Sequence, residues 1–358
     1  MRKLLLLVIV LLLAFGAYSL ATKNNLAPEI PQLVTTITTE DREDLLTPPI
    51  KKTLENSYHV FQSFNNCGPA SLSMTLSYYD IDISQKELGD QLRPYQIPNG
   101  DNDDKSVTLA ELAEKSKEFG LVPFHRPNGS IEHIKLFITY DLPVITRTWL
   151  KVNEDIGHFR VVKGYDASRQ VLIQDDSYEG KNLEFSYTTF DQLWNKFNNE
   201  YLVLVPEEKV AIVQRILGEE IDEQKSWQKA AESSRLALEY NPDDIYDRFN
   251  LSIALFHLGE FKESVAEFEQ VESKLSPRTL WYQIEPIQAY FELGDYDRVF
   301  EITDRILSTG NRAFSELYYI RGQIYLKQGK TAQAKAEFEQ AVFYNQNYKP
   351  ASEALDNL

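Results

Sequence analysis

The feature that most constrains the fold of this chain is a period of 35 residues in its C-terminal part. Gly259, Gly294 and Gly329 recur at that interval, and each precedes an amphipathic helical pattern with alanine or aromatic residues. Lys225 occupies the matching position one interval of 34 earlier. Periods of this size are typical of solenoids, in which each unit buries its apolar face against its neighbours. The pattern predicts an all-α array of about four units over residues 207–358.

The third unit departs from this pattern. Pro286 falls inside its first helix, and a proline within a helix removes a hydrogen bond and clashes with the preceding turn. We therefore expect a kink or an irregular unit at this point. The array contains 17 basic and 27 acidic residues, so a peptide that binds in its groove should be neutral or basic.

The N-terminal end predicts a membrane anchor. Arg2 and Lys3 precede an uncharged, mainly apolar run of 18 residues, Leu4–Ala21, which spans about 27 Å as a helix. Basic residues before such a run keep the N-terminus in the cytoplasm and place the rest of the chain outside. Ser19–Ala21 also resembles a signal cleavage site, so secretion after cleavage is the alternative. Residues 22–53 are rich in Thr, Asn and Pro and are predicted to form a flexible linker.

Composition excludes several functional classes. The chain has 358 residues, 43% of them hydrophobic, and a formal charge of -17. A protein this acidic repels polyanions, so we do not expect nucleic acid as a partner. No Cys or His pair has the spacing of zinc ligands, and we predict no metal or cofactor. The single cysteine, Cys67, cannot form an internal disulfide.

Residues 54–206 read as an α+β domain. Asn66 can cap a helix that contains Pro69 in its first turn and continues as ASLSMTLSYY, and Leu109–Phe119 is a second predicted helix. The later segments LPVITRTWL, HFRVVKGYD, QVLIQDD and YLVLVP are rich in branched and aromatic residues and are separated by turn residues. The pattern predicts helices followed by an antiparallel sheet, with Cys67 at a helix N-terminus.

This context suggests thiol chemistry. The N-terminus of a helix favours a thiolate, and a nearby imidazole can complete its activation. His158 opens a predicted strand and can project toward Cys67. Asp175 or Asp176, at the end of the next strand, could hold the second imidazole nitrogen. Gln62 could donate its amide to an oxyanion.

The sequence resembles a known family over Tyr58–Pro206. CGPASLSM, GHFRVVKGYD and VLIQDDSYEG, in that order, are similar to segments of the papain-like cysteine peptidases that process bacteriocin leaders after double glycine, in particular to their stand-alone C39-like branch. The resemblance implies Cys67 as nucleophile, His158 as general base, Asp175 as orienting acid and Gln62 as oxyanion donor. The C-terminal array resembles tetratricopeptide repeats, which implies a protein partner bound in the repeat groove.

These features together predict an exported, membrane-tethered cysteine peptidase that acts on a peptide or protein substrate. The alternative is a catalytically inactive peptidase-like adaptor that binds proteins through its repeats. Acyl transfer or amidase chemistry is a further alternative, because a thioester intermediate accepts either water or an amine.

Overall fold

The computed structural model describes residues 45–95, 107–308 and 311–358. The predicted anchor, residues 1–21, and most of the predicted linker, residues 22–53, lie outside these ranges. Within them, no helix is both long and apolar enough to cross a membrane. The described residues all belong to one compact unit.

An antiparallel sheet forms the centre of the first half, as the sequence predicts. Its described strands are β1 Lys51–Thr53, β2 Val122–Arg126, β3 Val144–Trp149, β4 Gly157–Asp166, β5 Val171–Asp176, β6 Gly180–Ser186 and β7 Tyr201–Val205. They lie in the order β2-β7-β3-β4-β5-β6, and β1 pairs with the far end of β4 at residues 164–166. The end of the predicted linker is thus a strand of the sheet.

Helices cover both faces of this sheet. Those of the first half are α1 Cys67–Leu76, α2 Gln85–Leu92, α3 Leu109–Ser116, α4 Ile131–Thr139, α5 Tyr187–Trp194 and α6 Val210–Leu217. α2 and α3 each begin with a capping box. The side chains of Ser84 and Thr108 accept hydrogen bonds from the backbone N–H groups of Glu87 and Glu111, and the carboxylates of these glutamates accept from the backbone N–H groups of Ser84 and Thr108. One apolar cluster lies between α1, α3 and the sheet, and another between α4, α6 and the sheet.

The first core extends beyond the predicted boundary at Pro206. Val213, Ile216 and Leu217 of α6 are fully buried in the same cluster as Ile134 and Phe137 of α4. The sequence analysis assigned α6 to the repeat array, which it began at residue 207. In the structure the apolar side of α6 packs on the first half, which leaves the first repeat unit without this helix.

The second half consists of paired helices. They are α7 Glu223–Tyr240, α8 Ile245–His257, α9 Phe261–Glu269, α10 Thr279–Tyr282, α11 Glu285–Leu293, α12 Tyr296–Ser308, α13 Ser315–Lys327, α14 Thr331–Tyr344 and α15 Lys349–Asp356. Gly259, Gly294 and Gly329 lie in the turns within successive pairs, with φ of 79°, 76° and 71°. Glycine adopts this backbone conformation more readily than residues with a Cβ atom, which explains why glycine recurs in each of these turns. Lys225 instead lies in the first turn of α7.

The third unit is irregular, as Pro286 predicts. The chain forms the short helix α10, breaks at Gln283 and Ile284, and starts again at α11 with Pro286 in the first turn. A proline is tolerated there because its missing N–H has no partner within the helix. The proline therefore starts a helix rather than kinking one.

The two halves are joined by specific contacts. Asn198 bonds twice to Asn250 of α8, with its backbone N–H donating to the side-chain oxygen and its side-chain amide donating to the carbonyl. The ring centroid of Trp149 lies 4.7 Å from that of Tyr246. At the other end of the array, Asn347 donates to the carbonyl of Gln91 at 2.9 Å. The repeats therefore pack along the first half.

We expect Ile216→Ala to loosen the first half rather than the repeats. The change removes a buried side chain between α6 and α4 and should lower the free energy of unfolding by about 2–5 kcal/mol. Hydrogen exchange should accelerate in residues 131–139, whereas Gln214→Ala, on the exposed face of the same helix, should change little. Faster exchange confined to the repeats would contradict this assignment of α6.

Candidate active site

Cys67 is the first residue of α1, as the sequence predicts, and is 5% exposed. Asn66 occupies the capping position, but its side chain makes no capping bond and donates instead to the Ser63 hydroxyl at 2.9 Å. Gly68 lets α1 lie close to its neighbours, because a Cβ atom there would come within 2.2 Å of a Val107 methyl group. The helix is thus fixed by packing, with the thiol at its positive end.

His158 links the thiol to a carboxylate. It lies on β4, is 3% exposed, and its Nε2 is 2.9 Å from Oδ1 of Asp176. Cys67 acts on the same imidazole, because its hydrogen bonding and its charge raise the pKa of His158. Burial lowers the pKa of His158, but the hydrogen bonds to Asp176 and Cys67 outweigh burial and raise it above its ordinary value. The environment therefore favours the imidazolium.

The carboxylate of Asp176 accepts several hydrogen bonds. Its Oδ1 also accepts the backbone N–H groups of Tyr178 and Glu179 at 2.7 and 2.9 Å. Burial raises its pKa, but the hydrogen bond and charge of His158 and the charge of Arg160 reverse this effect and lower the pKa to about 2. Asp176 is therefore ionised at neutral pH.

Asp175, the residue that the sequence resemblance favours as the orienting acid, does not contact His158. It pairs with the buried Lys163 at 2.8 Å and accepts the backbone N–H of Asn182 at 2.9 Å. The side chains of Asp175 and Asp176 point to opposite faces of β5, as alternation along a strand requires. The structure thus corrects the choice of Asp175, and Asp176 occupies the position beside the imidazole.

A β-bulge explains the difference. Near the turn, Gly164 pairs with Ile173, but on the other side of Lys163 the register shifts and Val162 pairs with Gln174. Without this shift Val162 would lie opposite Asp175, and Asp175 would share the face of His158. The extra residue moves Asp176 onto that face instead.

Gln62 lies beside the end of β5. Its backbone N–H donates to the Ser177 carbonyl at 2.7 Å, and the Ser177 hydroxyl donates to its side-chain Oε1 at 2.9 Å. Because the oxygen of the amide is occupied, Nε2 is the end that can donate to another group. The structure thus ties Gln62 to the residue that follows Asp176.

Arg160 belongs to the site although the sequence analysis did not single it out. Its Nε forms an ion pair with Oδ2 of Asp176 at 3.0 Å, without a hydrogen bond between the two atoms. Its other two nitrogens donate to the carbonyls of Trp149 and Leu150. The alternation of β4 could have indicated Arg160, because it lies two residues after His158 and shares its face.

Tyr282 reaches the site from the repeats, and no local sequence signal indicates it. A Cβ atom on Gly157 would lie 3.1 Å from its ring. Burial raises the pKa of Tyr282, and the nearby charge of Cys67 raises it further. Its carbonyl accepts from Arg147 at 2.9 Å. This aromatic side chain therefore packs on the first residue of β4, next in sequence to His158.

The arrangement is suited to nucleophilic chemistry. A thiol at a helix N-terminus, an imidazole bonded to it and a carboxylate on the other imidazole nitrogen form the set required to activate sulfur. Within residues 45–95, 107–308 and 311–358, no group of three or more His, Cys, Asp or Glu side chains is arranged to hold a metal ion.

Comparisons with solved structures return proteins of two kinds. A protein from Bacillus anthracis described as a C39-like peptidase is 18% identical; the match covers 44% of this chain and 98% of that one, with a TM-score of 0.36. The peptidase domain of Streptococcus ComA is 21% identical over 44% and 99% of the two chains, with a TM-score of 0.33. MamA from Desulfovibrio magneticus is 17% identical over 40% and 81%, with a TM-score of 0.34.

Family comparison assigns the two halves separately. Residues 48–202 match the Peptidase_C39 like family, and residues 315–348 match the tetratricopeptide repeat. A search of curated proteins finds no match. The chain therefore carries a domain of the Peptidase_C39 like family followed by tetratricopeptide repeats.

Proposed function

We propose that the protein is a cysteine peptidase that acts on a peptide or protein substrate through Cys67, His158 and Asp176. The observation that carries the proposal is the position of His158, whose Nε2 lies 2.9 Å from Asp176 and whose pKa both Asp176 and Cys67 raise. Family membership of residues 48–202 supports the same reaction class.

In the proposed reaction the proton of Cys67 resides on His158, and the thiolate attacks the carbonyl carbon of the scissile peptide bond. The carbonyl oxygen becomes negatively charged, and Nε2 of Gln62 donates a hydrogen bond to it. His158 then passes its proton to the leaving amine as the carbon–nitrogen bond breaks, which leaves a thioester on Cys67.

Hydrolysis of the thioester completes the cycle. His158 removes a proton from water, the resulting hydroxide attacks the thioester carbonyl, and the sulfur leaves as thiolate. Asp176 stabilises the imidazolium in both steps and fixes the orientation of the ring. An amine that takes the place of water would give acyl transfer through the same intermediate.

Exposed aromatic side chains beside these residues support a polypeptide substrate. Phe61, Phe64 and Tyr178 are 64%, 52% and 58% exposed and are close in sequence to Gln62, Cys67 and Asp176. Large exposed apolar side chains grouped at one place are typical of binding surfaces. We assign them to contacts with apolar side chains of the substrate.

Reaction of Cys67 with iodoacetamide at pH 6 tests the thiolate. An ordinary thiol, with a pKa of about 8.5, is well under about 1% ionised at this pH, so the activated thiol should react roughly a hundredfold faster than a free one. His158→Gln should remove most of this advantage, because the thiol loses its imidazole. Labelling is measured by mass spectrometry of the peptide that contains Cys67.

His59→Gln provides the matched control. His59 contacts the carbonyl of Asp176 at 2.9 Å, so it touches the same segment, but the proposed reaction does not use it. Its substitution should leave the labelling rate within about twofold. Slow labelling of the parent, unaffected by His158→Gln, would favour the adaptor function over the peptidase.

A second comparison separates the adjacent aspartates. Asp176→Asn removes the charge beside His158 and should slow labelling of Cys67 at pH 6 by about tenfold or more, because the imidazolium is less stable. Asp175→Asn should leave the rate nearly unchanged but lower the melting temperature, because it leaves the buried Lys163 without its counter-charge. The reverse assignment of the two effects would show that Asp175 is the orienting acid.

We also propose that the chain is exported and tethered by Leu4–Ala21, from the basic residues that precede this run. A reporter enzyme that is active only outside the cytoplasm, fused after Leu358, should be active, and the fusion should sediment with membranes. A fusion found in the culture medium would indicate cleavage near Ala21, and an inactive fusion in the cytosol would refute export.

A further inference from the structure

A cleft of about 640 Å³ lies between the first half and the repeats. One wall is α3 with the turn that follows it, and the other is formed by residues of α10, α11 and the last repeat helices. Asn347 bonds the Gln91 carbonyl at one place, and Arg147 bonds the Tyr282 carbonyl at another. The volume of the cleft is within the roughly 300–1,000 Å³ typical of ligand sites.

The inner end of the cleft lies beside the strand that carries His158. Arg147 and Tyr282 both line the cleft, and the ring of Tyr282 packs on Gly157, the residue before His158. Tyr282 therefore connects the lining of the cleft with the start of β4. Trp281, on the repeat wall, adds a second aromatic surface.

The charge of the lining favours a neutral or basic occupant. Five carboxylates and three basic side chains line the cleft: Glu111, Glu114, Glu118, Glu285, Glu316, Lys115, Arg147 and Lys349. Lys115 is paired with Glu118 at 2.7 Å, and the guanidinium of Arg147 is covered by aromatic rings. The carboxylates of Glu114 and Glu118 are largely exposed, and Glu114 is paired with Lys117, which lies outside the cleft lining.

Strand β1 lies at a different part of the sheet from the cleft. Lys51 pairs with Asp166, at the opposite end of β4 from Gly157, and nine residues of a strand span about 30 Å. β1 therefore lies at the opposite end of β4 from Gly157 and from the inner end of the cleft.

We propose that this cleft binds the substrate on one side of the scissile bond, as an extended neutral-to-basic segment, so that the repeats form one wall of the substrate site. The proposal rests on the proposed function of Cys67 as the nucleophile. It makes Tyr282 and the acidic side chains of α3 determinants of specificity.

Two affinity reagents test this assignment: bromoacetyl-Gly-Gly-Lys-Lys-Lys-amide and its counterpart with three Glu. In each, the Cys67 sulfur displaces bromide and forms a thioether. Rates are divided by the iodoacetamide rate of the same variant, and the lysine reagent should react about three- to tenfold faster than the glutamate reagent. The combined change Glu114→Gln and Glu118→Gln should reduce this ratio by about threefold.

Matched variants separate the cleft from the overall charge of the protein. Glu232→Gln with Glu239→Gln removes the same charge from exposed positions of α7 and should leave the ratio unchanged. On the repeat wall, Gln288→Lys should lower the ratio, whereas Gln270→Lys, an exposed repeat residue outside the cleft lining, should not.

The outcomes distinguish the two proposals. Rapid labelling of Cys67 by iodoacetamide together with equal rates for the two peptide reagents would show that the cleft assignment is wrong. Control variants that lower the ratio as much as the cleft variants would show the same. In both cases the proposed peptidase function is unaffected. If iodoacetamide does not label Cys67, the proposed peptidase fails, and the cleft is tested by the anisotropy of fluorescein-labelled Gly-Gly-Lys-Lys-Lys. Equal affinities of this labelled peptide for the parent, the Glu114/Glu118 variant and the Glu232/Glu239 variant would then overturn the cleft assignment.

Discussion

The pairing of β4 with β5 is the contact on which the candidate site depends. His158 is on one strand and Asp176 is on the other, so their distance is set by the register of the ladder. The bulge at Lys163 sets that register, and β1 supports the bulge, because the N–H of Leu54 donates to the Lys163 carbonyl at 2.8 Å. The absence of a side chain at Gly164 allows this approach, since a Cβ atom there would lie 2.8 Å from the β1 backbone. A strand far from the thiol thus fixes the geometry beside it.

The same ladder separates two sets of buried charges. His158, Arg160 and Asp176 share one face of the sheet, and Lys163 with Asp175 shares the other. The lowered pKa of Asp176 contributes about 2 kcal/mol of stability, which is present above pH 4 and is lost as the pH falls toward about 2. The raised pKa of His158 acts in the opposite sense: its contribution is complete in acid and is lost as the pH rises through the folded value. The site is therefore best held in mildly acidic to neutral solution.

Local patterns predicted the parts of the fold that local physics determines. The start of a helix at Cys67, the strand that carries His158 and the repeat turns at glycine were all read from propensity and spacing, and the structure confirms them. Alternation along β5 places the two aspartates on opposite faces, but the sequence does not reveal the bulge that decides which of them faces His158. Residues 210–217 were assigned to the repeats, because the sequence of a short apolar helix does not say which core the helix joins. Tyr282 could not be predicted, because its contact with Gly157 spans 125 residues of sequence.

The position of β7 has a consequence for how the chain reaches this structure. Strands β3 to β6 pair in sequence order, so they can form successive hairpins as the chain is synthesised. β2 cannot join them, because β7 lies between β2 and β3, and the β2–β7 pairing closes a loop of roughly 75 residues. One edge of the sheet must therefore wait until residue 205 has been made. The helical repeats that follow have mainly local contacts and can fold faster than this insertion. The last strand of the sheet is thus a step at which a slow, non-local search enters the assembly, in addition to the pairing of β1 with β4.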